Sequence, residues 1–264
     1  MSIPIDGYER TKRLAMREWS GDVWDGAGSS GVGQLDGLTV SYQSGLPVRI
    51  FGNMVPWSPP GFGHGQLVAK RAFDIAFSVL ALAFLLPLLV FVAIAVRMES
   101  AGPAFFRQKR EGISGSTFYA YKFRSMRTEV EDASGVAQTV RGDQRVTRLG
   151  AFLRKTSIDE LPQLYNVLRG EMSIVGPRPH VPNMLAGNGT YRELVPYYDS
   201  RLVIRPGITG WAQANGLRGD ASDPAVARAR IDHDLAYIQN YSFWLDLKIV
   251  WLTVRYEFLG GSGT

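Results

Sequence analysis

IAFSVLALAFLLPLLVFVAIAV, residues 75 to 96, is the stretch that decides the fold, because it is apolar almost without interruption. At about 1.5 Å per residue, a helix of this length measures roughly 33 Å, against a hydrocarbon core of about 30 Å. The stretch is too long for the apolar region of a signal peptide and lies far from residue 1. The sequence therefore predicts a membrane segment, which we place at residues 66–98.

Basic residues flank this segment on both sides, namely Lys70 and Arg71 before it and Arg97, Arg107, Lys109 and Arg110 after it. Because Lys and Arg favour the cytoplasmic side of a membrane, a straight span leaves one of these groups on the disfavoured side. Pro87 removes a backbone hydrogen bond within the stretch and favours a kink. The residues leave two interpretations open: two half-helices that enter and leave on one face, or a single span with a tolerated proline.

The composition limits the chemistry that is available. The 264 residues include no cysteine and three histidines, which excludes disulfides, thiolate metal sites and cysteine nucleophiles. Carboxylates are therefore the expected reactive groups. A net charge of +5 suits an anionic membrane, nucleic acid or phosphorylated substrates. Since the sequence contains no recognised nucleic-acid-binding motif, we expect membrane lipids and phosphorylated substrates as partners, and no nucleic acid.

The remaining residues divide around the membrane segment. Residues 1–65 are rich in Gly, Ser and Pro and predict a loosely structured arm, in which SGLPVRIFG is a candidate strand. Residues 99–264 predict a soluble domain, with a strand or hairpin in STFYAYKF and helices near 146–169, 191–201 and 223–259. The predicted fold class is mainly α with minor β (α+β), attached to one hydrophobic helix.

The C-terminal stretch YIQNYSFWLDLKIVWLTVRYEFL places apolar side chains on one side at helical spacing. Its charged residues, which include Asp246, Lys248 and Arg255, argue against a second membrane span. Two interpretations stay open. The helix either packs in the core or lies at the membrane interface, with Trp and Tyr at the level of the lipid headgroups.

The motif LRKTSIDELPQLYNVLRGEMSIVGPRPHVP carries the strongest chemical signal. Ser157 and Glu160 have the spacing of a helix capping box, which is one explanation of the acidic pair. The other explanation is a phosphoryl-transfer site, in which Asp159 and Glu160 lie at a helix N-terminus that attracts phosphate. A carboxylate nucleophile, a metal ion and arginines that bind phosphate oxygens form a coherent site of this kind.

Four segments together identify a resemblance to a known family. They are, in order, KRAFDIAFSVLALAFLLP, FYAYKFRSMRTE, RLGAFLRKTSIDELPQLYNVLRGEMSIVGPRPH and IRPGITGWAQANGLRGD. In these segments the chain resembles the bacterial sugar transferases, monotopic polyprenyl-phosphate phosphoglycosyl transferases that begin lipid-linked glycan assembly. The resemblance covers residues 68 to about 259 and implies that residues 99–264 form a cytoplasmic catalytic domain with interfacial helices.

The resemblance implies a two-step reaction. An aspartate, here Asp159, attacks the β-phosphate of a UDP-sugar and releases UMP, and a polyprenyl phosphate, typically undecaprenyl phosphate, then takes the sugar phosphate. Glu160, together with Asp159, is similarly placed to hold the Mg²⁺ that the family requires. Four basic residues match family positions near the substrate phosphates: Arg154, Arg178, Lys122 and Arg124.

The resemblance also implies a location. Members hold the apolar helix as a re-entrant hairpin on the cytoplasmic face of the bacterial inner membrane, usually broken at a Ser-Pro pair. This chain has Leu86-Pro87 at that position, so Pro87 keeps the kink without the serine hydroxyl. The oligomeric state is open.

The choice of donor rests on the C-terminal third of the chain, which looks most like the forms that use UDP-glucose or UDP-galactose for exopolysaccharide, capsule or O-antigen synthesis. A UDP-N-acetylated amino sugar is the alternative donor, and a non-catalytic membrane-anchored adaptor is the alternative function. Trp211, Gln213 and Asn215 are candidates for the nucleotide-sugar pocket. Turn and packing roles explain these three residues equally well.

Overall fold

The computed structural model describes residues 32–35, 38–41, 45–51, 64–127, 143–219 and 222–259. These residues form one long apolar helix and a domain of short helices and short strands. The predicted α+β class with a hydrophobic helix is therefore confirmed.

The apolar stretch forms helix α1, His64–Glu99. Its segment Gly65–Glu99 is long and apolar enough to cross a membrane, with a mean hydropathy of 3.1 and only 11% of the apolar window buried by the rest of the protein. Large side chains such as Leu80, Phe84 and Phe91 are exposed. Since water is a poor solvent for a continuous apolar surface of this size, the helix makes the chain membrane-associated.

Both ends of α1 contact the same folded domain. Near the first end, Lys70 Nζ lies 2.7 Å from Asp246 Oδ2 and 2.9 Å from the Val175 carbonyl oxygen. Near the second end, the Glu99 carboxylate accepts a hydrogen bond of 2.8 Å from the Leu149 backbone N–H. No residue from 79 to 91 is buried. The two ends of the apolar helix are therefore held by one folded domain.

Helix α1 runs through Pro87 as a single element. The kink that the sequence predicts at this proline stays a prediction. The contacts at the two ends of α1 do not depend on it.

Part of the N-terminal arm is an antiparallel sheet, in which β1 (Val32–Leu35) pairs with β2 (Leu38–Ser41), and β2 pairs with β3 (Val48–Phe51). Val48 and Ile50 are buried in the main core. The strand expected in SGLPVRIFG is thus confirmed, and two buried apolar side chains anchor it. The other residues of the arm, apart from β1, β2 and the first two residues of α1, lie outside the described residues, so the loosely structured arm stays a prediction.

The expected hairpin is formed by β4 (Phe105–Glu111) and β5 (Thr117–Phe123). Phe106 pairs with Lys122 and Arg110 pairs with Phe118. Because side chains alternate along a strand, Phe106, Gln108, Arg110 and Lys122 share one face of the hairpin. This face carries two of the basic residues of the site described below.

Three short elements follow the hairpin: α2 (Arg148–Lys155), a 3₁₀ turn (Ile158–Glu160) and α3 (Gln163–Arg169). The Thr147 hydroxyl caps α2 by accepting a hydrogen bond of 2.9 Å from the Gly150 backbone N–H. A Cβ on Gly150 would lie 2.1 Å from the Ser125 carbonyl oxygen. Only glycine therefore lets α2 approach the end of β5 this closely.

The middle of the domain is built from small elements. Strand β6 (Ser173–Val175) pairs in parallel with β9 (Gly207–Thr209), and β7 (Leu185–Ala186) pairs with β8 (Gly189–Thr190). The helix expected near 191–201 is instead a short α4 (Tyr191–Leu194) and a 3₁₀ helix (Tyr198–Val203), followed by α5 (Trp211–Ala214). Pro196, between the first two of these, restricts a longer helix.

Two helices complete the domain, α6 (Pro224–Gln239) and α7 (Phe243–Leu259). Ile231 and Leu235 of α6 and Ile249 of α7 are fully buried in the main core, whereas Trp244 and Trp251 of α7 are exposed. Helix α7 therefore packs in the core, as one of the two interpretations expected, and its place at the membrane interface stays a prediction. One side packs in the core, and the other presents Trp side chains of the kind found at membrane interfaces.

Candidate active site

The acidic pair lies in a 3₁₀ turn that precedes α3, and not in the first turn of α3. Ser157 adopts a left-handed conformation with φ of 54°, and its side chain makes no capping hydrogen bond. Asp159 and Glu160 belong to the 3₁₀ turn that follows, and α3 begins only after Pro162. The capping-box explanation is therefore wrong, because Glu160 points to other partners and leaves the helix end uncapped.

Glu160 is held as a carboxylate by two basic side chains. Its Oε1 lies 2.7 Å from Lys122 Nζ and 2.6 Å from one terminal nitrogen of Arg178, while its Oε2 lies 3.1 Å from the other. Burial alone raises the pKa of Glu160, but Arg178 and Lys122 outweigh burial and hold this pKa well below its usual value. Glu160 thus stays ionised and fixed in direction.

Asp159 differs from its neighbour in both environment and contacts. It is 6% exposed, and within the described part of the chain its carboxyl group has no hydrogen bond. Burial raises the pKa of Asp159 to about 6; Lys122 opposes this rise, Glu160 adds to it, and Arg154 and Arg178 oppose it. Two adjacent carboxyl groups with such different pKa values are typical of a catalytic pair.

Arg154 and Arg178 approach the pair from different elements. Arg154 lies in the last turn of α2, where its Nε donates a hydrogen bond of 2.9 Å to the Ser125 hydroxyl. Arg178 follows β6, and its side chain stays 40% exposed although it binds Glu160. The structure therefore brings Arg154, Arg178 and Lys122 together around the acidic pair.

Arg110 is a fourth basic residue of this group, and sequence reasoning did not assign it to the site. It lies on the same face of the hairpin as Lys122 and donates a hydrogen bond of 2.9 Å to the Pro179 carbonyl oxygen. Burial and then the charge of Arg178 lower the pKa of Arg110 to about 10, while Glu160 opposes this shift. The alternation of β4 is the sequence signal that could have identified it.

The charges of the group do not balance. Four cationic side chains, Lys122, Arg154, Arg178 and Arg110, surround the two carboxyl groups of Asp159 and Glu160. The excess positive charge in a partly buried site favours a ligand with several negative charges, such as a diphosphate.

Arg124 was expected near the substrate phosphates, but the structure places it elsewhere. Its guanidinium group is buried and donates hydrogen bonds to the carbonyl oxygens of Val96 at 3.1 Å, Ser100 at 2.6 Å and Ala101 at 2.6 Å. These are carbonyl groups at and just after the C-terminal end of α1, where a cation also complements the helix dipole. Arg124 therefore holds the membrane helix and does not face the acidic pair.

The structure favours packing roles for Trp211, Gln213 and Asn215. Trp211 is 5% exposed within the main core, so its ring has no free face for a nucleotide base. The Gln213 amide donates to the Ile208 carbonyl oxygen at 3.2 Å, and the Asn215 amide donates to the Trp211 carbonyl oxygen at 2.7 Å. These contacts favour packing, and the expected role of the three residues in a nucleotide-sugar pocket stays a prediction.

Asn166, on α3, is a fully buried polar residue. Its side chain accepts a hydrogen bond of 3.0 Å from the Tyr121 N–H and donates one of 2.7 Å to the Tyr119 carbonyl oxygen. It therefore pairs with the free edge of β5 as another strand would. Since Lys122 lies next on β5 and Glu160 lies just before α3, this contact fixes the register in which the two side chains meet.

The donor set of the site agrees with Mg²⁺ bound together with a substrate. Among the described residues, no group of three or more His, Cys, Asp or Glu side chains forms a ready metal cage. Within the part of the chain that the structure describes, Asp159 offers a carboxyl group without a hydrogen bond, and Glu160 Oε2 accepts only one. Mg²⁺ is usually bound by one or two carboxylates together with waters and substrate phosphates, so these residues fit it.

The fold and the site define a class of protein, and the comparison with known families agrees with it. Residues 65–260 match the family described as bacterial sugar transferase. The match covers both the membrane helix and the acidic pair. The chain therefore belongs to the bacterial sugar transferases, and the resemblance drawn from the four segments is confirmed.

Relatives with assigned names are similar over the same region. The chain is 54% identical over 198 residues to the exopolysaccharide production protein PSS of Rhizobium leguminosarum bv. phaseoli, covering 75% of this chain and 99% of that protein. It is 49% identical over 212 residues to the UDP-glucose:undecaprenyl-phosphate glucose-1-phosphate transferase of Escherichia coli (strain K12), covering 80% of this chain but only 43% of that protein.

A third relative has a different donor in its name. The UDP-N-acetylgalactosamine-undecaprenyl-phosphate N-acetylgalactosaminephosphotransferase of Aeromonas hydrophila is 43% identical over 186 residues, covering 70% of this chain and 43% of that protein. The chain thus spans nearly all of the rhizobial relative and less than half of the other two.

Proposed function

We propose that this chain transfers a sugar-1-phosphate, from UDP-glucose or UDP-galactose, to undecaprenyl phosphate and releases UMP, as a first membrane step in polysaccharide synthesis. The observation that carries the proposal is the acidic pair. Asp159 is buried without a hydrogen bond from the described residues, next to a Glu160 that Lys122 and Arg178 hold as a carboxylate. A nucleophile and a fixed anion side by side suit phosphoryl transfer through a covalent intermediate.

In the first step, a carboxylate oxygen of Asp159 attacks the β-phosphorus of the UDP-sugar. The bond from this phosphorus to the bridging oxygen breaks, and UMP leaves with the bonding electrons and that oxygen. Arg178 and Arg154 lie where they can bind the oxygens of the reacting phosphate. Because Asp159 is only 6% exposed, water has little access to the acyl phosphate that forms.

In the second step, a phosphate oxygen of the polyprenyl phosphate attacks the same phosphorus. The bond between this phosphorus and Asp159 breaks, which returns the carboxylate and releases the lipid-linked sugar diphosphate. A phosphate oxygen of the acceptor is already ionised at neutral pH, so Asp159 has no proton to transfer. A covalent intermediate lets one site use a soluble donor and then a lipid acceptor.

Mg²⁺ belongs to this proposal as the expected cofactor. Asp159 and Glu160 are the residues that would hold it, together with the donor phosphates. When bound, Mg²⁺ would offset the negative charge of the diphosphate and of the departing UMP. The residues themselves orient the nucleophile, and Lys122 keeps Glu160 in place.

The donor sugar is proposed from the named relatives. The relatives from Escherichia coli and Xanthomonas campestris are named for UDP-glucose, and the one from Aeromonas hydrophila is named for UDP-N-acetylgalactosamine. The two glucose enzymes share 49% and 48% identity with this chain, against 43% for the third. Glucose is therefore the first donor to test, and the N-acetylated amino sugar is the alternative.

The proposed location is the cytoplasmic face of the bacterial inner membrane. The two ends of α1 contact one domain, and the basic residues on both flanks of the apolar stretch favour the cytoplasmic side. The UDP-sugar is a cytoplasmic metabolite, and the polyprenyl chain lies in the bilayer. The site then has access to both substrates from the same face.

The test is UMP release by membrane fractions supplied with Mg²⁺, undecaprenyl phosphate and each of a panel of UDP-sugars. Asp159→Asn keeps the shape of the side chain but removes the nucleophile, so we expect UMP release to vanish. Asp199→Asn is the matched control. The Asp199 side chain is 68% exposed, and among the described residues it binds Arg192 and none of the residues around the acidic pair. This control should retain wild-type activity.

The outcomes separate the alternatives. Lipid-dependent UMP release that is lost in Asp159→Asn and kept in Asp199→Asn supports the reaction, and the best donor identifies the sugar. Release at a comparable rate from Asp159→Asn removes the proposed nucleophile. A folded wild type that releases no UMP from any donor makes the membrane-anchored adaptor the better interpretation.

A further inference from the structure

Four successive carbonyl groups around Arg178 each accept a hydrogen bond. The Pro177 carbonyl accepts from the Gly207 N–H at 2.9 Å, and the His180 carbonyl accepts from the Glu111 N–H at 2.8 Å. Between them, the Pro179 carbonyl accepts from Arg110 and the Arg178 carbonyl accepts from Arg201. The loop that carries Arg178 is thus held at every peptide unit from residue 177 to 180.

These contacts determine where the Arg178 side chain points. The Pro177 carbonyl fixes the peptide plane before the Arg178 Cα, and the Arg178 carbonyl fixes the plane after it. Because peptide units are planar, the two planes together set the direction of the Arg178 Cα–Cβ bond. The Pro179 ring restricts Arg178 further, since a residue before proline has limited backbone freedom.

Arg201 holds the second of these planes and is itself fixed by a buried ion pair. It is 1% exposed, and Asp234 on α6 is 4% exposed. Arg201 Nε and a terminal nitrogen lie 2.9 Å and 2.8 Å from Asp234 Oδ2. Breaking a buried pair by removing one partner leaves an uncompensated charge, so Asp234 determines where Arg201 lies.

We propose that Arg201 and Asp234 are positioning residues of the transferase site, which aim the Arg178 guanidinium group at Glu160 and at the diphosphate of the donor. This inference rests on the proposed function, because it needs a diphosphate ligand. Neither residue touches the acidic pair in the described structure; Arg201 acts through the Arg178 carbonyl, and Asp234 acts through Arg201. Helix α6 is thereby part of the support of the active site.

A double-mutant cycle tests this proposal without turnover. The affinity of the full-length protein in detergent for inorganic pyrophosphate is measured with Mg²⁺ present, for wild type, Asp234→Asn, Arg178→Ala and the double variant. We expect Asp234→Asn to weaken binding about five- to tenfold in the wild-type background and less than about twofold in the Arg178→Ala background, since residues in one hydrogen-bond network couple and independent residues add. Arg201→Lys keeps the positive charge but loses the forked guanidinium group. It should weaken pyrophosphate binding as Asp234→Asn does, in the wild-type background only.

Several outcomes would overturn the proposal. An equal loss of affinity in both backgrounds means that Asp234 acts on the fold and not through Arg178, and an unchanged affinity means that it does not act on the site. Wild type that does not bind pyrophosphate removes the ligand at which Arg178 would be aimed. If Asp234→Asn does not fold, the pyrophosphate affinity of Arg201→Lys in the same two backgrounds tests the proposal instead. UMP release by wild type tests the proposed function separately, so a failure of one proposal is distinct from a failure of the other.

Discussion

Lys122 Nζ lies 2.7 Å from Glu160 Oε1, and this contact joins the β4–β5 hairpin to the turn that carries the acidic pair. The side chains of Lys122 and Glu160 are 16% and 14% exposed, so the ion pair is well shielded from water. The charge of Lys122 also opposes the rise in the Asp159 pKa more strongly than that of any other residue. One lysine therefore stabilises one carboxylate by direct contact and favours ionisation of the next.

The two carboxyl groups should differ in their reaction with a carbodiimide, which couples to the protonated form of a carboxyl group. In protein treated with EDTA, the pKa of Asp159 is raised to about 6 and that of Glu160 is lowered well below 4.5. Asp159 is therefore protonated in part at pH 6 and Glu160 is not. We expect labelling of Asp159 at pH 6, much less at pH 8, and none of Glu160, as measured by peptide mass spectrometry.

Lys122→Met provides the control for this experiment. Loss of the positive charge raises the Asp159 pKa, so labelling should extend to higher pH. Equal labelling of Asp159 and Glu160 in the wild type would show that the two carboxyl groups do not differ in protonation state at pH 6.

Asn166→Ala should destabilise the domain severely. The change leaves the partly buried Tyr121 N–H and Tyr119 carbonyl group without their partner. Each buried polar group left without a hydrogen bond costs about 1–3 kcal/mol, so we expect the free energy of unfolding to fall by about 2–5 kcal/mol. Denaturant unfolding in detergent measures it.

Asn215→Ala is the matched control for Asn166, because Asn215 is exposed and its amide makes one hydrogen bond, to the Trp211 carbonyl oxygen. Loss of this hydrogen bond should lower the free energy of unfolding by about 1 kcal/mol or less. Similar losses in the two variants would show that the pairing of Asn166 with the β5 edge contributes little.

Arg124→Ala should reduce stability while leaving substrate affinity nearly unchanged. The guanidinium group of Arg124 binds the carbonyl groups of Val96, Ser100 and Ala101 and does not face the acidic pair. We expect a lower thermal midpoint in detergent and a KM for the UDP-sugar within about twofold of wild type, whereas Arg178→Ala should raise KM about tenfold or more, as loss of a charged hydrogen bond does. A large rise in KM for Arg124→Ala would restore the phosphate-binding role that the sequence suggested.

The two ends of α1 should be accessible from the same side of the membrane. The sequence contains no cysteine, so Gln66→Cys and Met98→Cys each introduce a single thiol near one end. Both should react with a membrane-impermeant maleimide in inverted vesicles, where the cytoplasmic face is outside, and neither should react in intact cells. Labelling of the two cysteines from opposite sides would establish a spanning helix.

The sequence predicts the elements whose pattern is local. The uninterrupted apolar run predicts α1, and the alternation in STFYAYKF predicts the hairpin, because each pattern reflects one helix or strand and its environment. The family motif also predicts which residues surround the acidic pair, and the structure brings Asp159, Glu160, Arg154, Arg178 and Lys122 together.

Contacts between distant residues are the part that the sequence did not reveal. Glu160 was assigned to a capping box because its spacing from Ser157 fits one, yet its partner Lys122 is 38 positions away. Arg124 belongs to the same KFR motif as Lys122, but it lies just beyond the end of β5, where its side chain reaches the carbonyl groups at the C-terminal end of α1. Local periodicity likewise cannot show that Asn166 lies against the edge of β5.

The hydrogen bonds between the N-terminal sheet and the end of α6 have a consequence for the order of folding. The Gln239 side chain binds both the N–H and the carbonyl group of Arg49, at 2.8 Å and 2.9 Å, across 190 positions of the chain. At roughly 5–20 residues per second, a ribosome needs about 10 to 40 s to make the intervening residues. Strand β3, which is synthesised long before α6, therefore makes these contacts only after nearly the whole domain has been made.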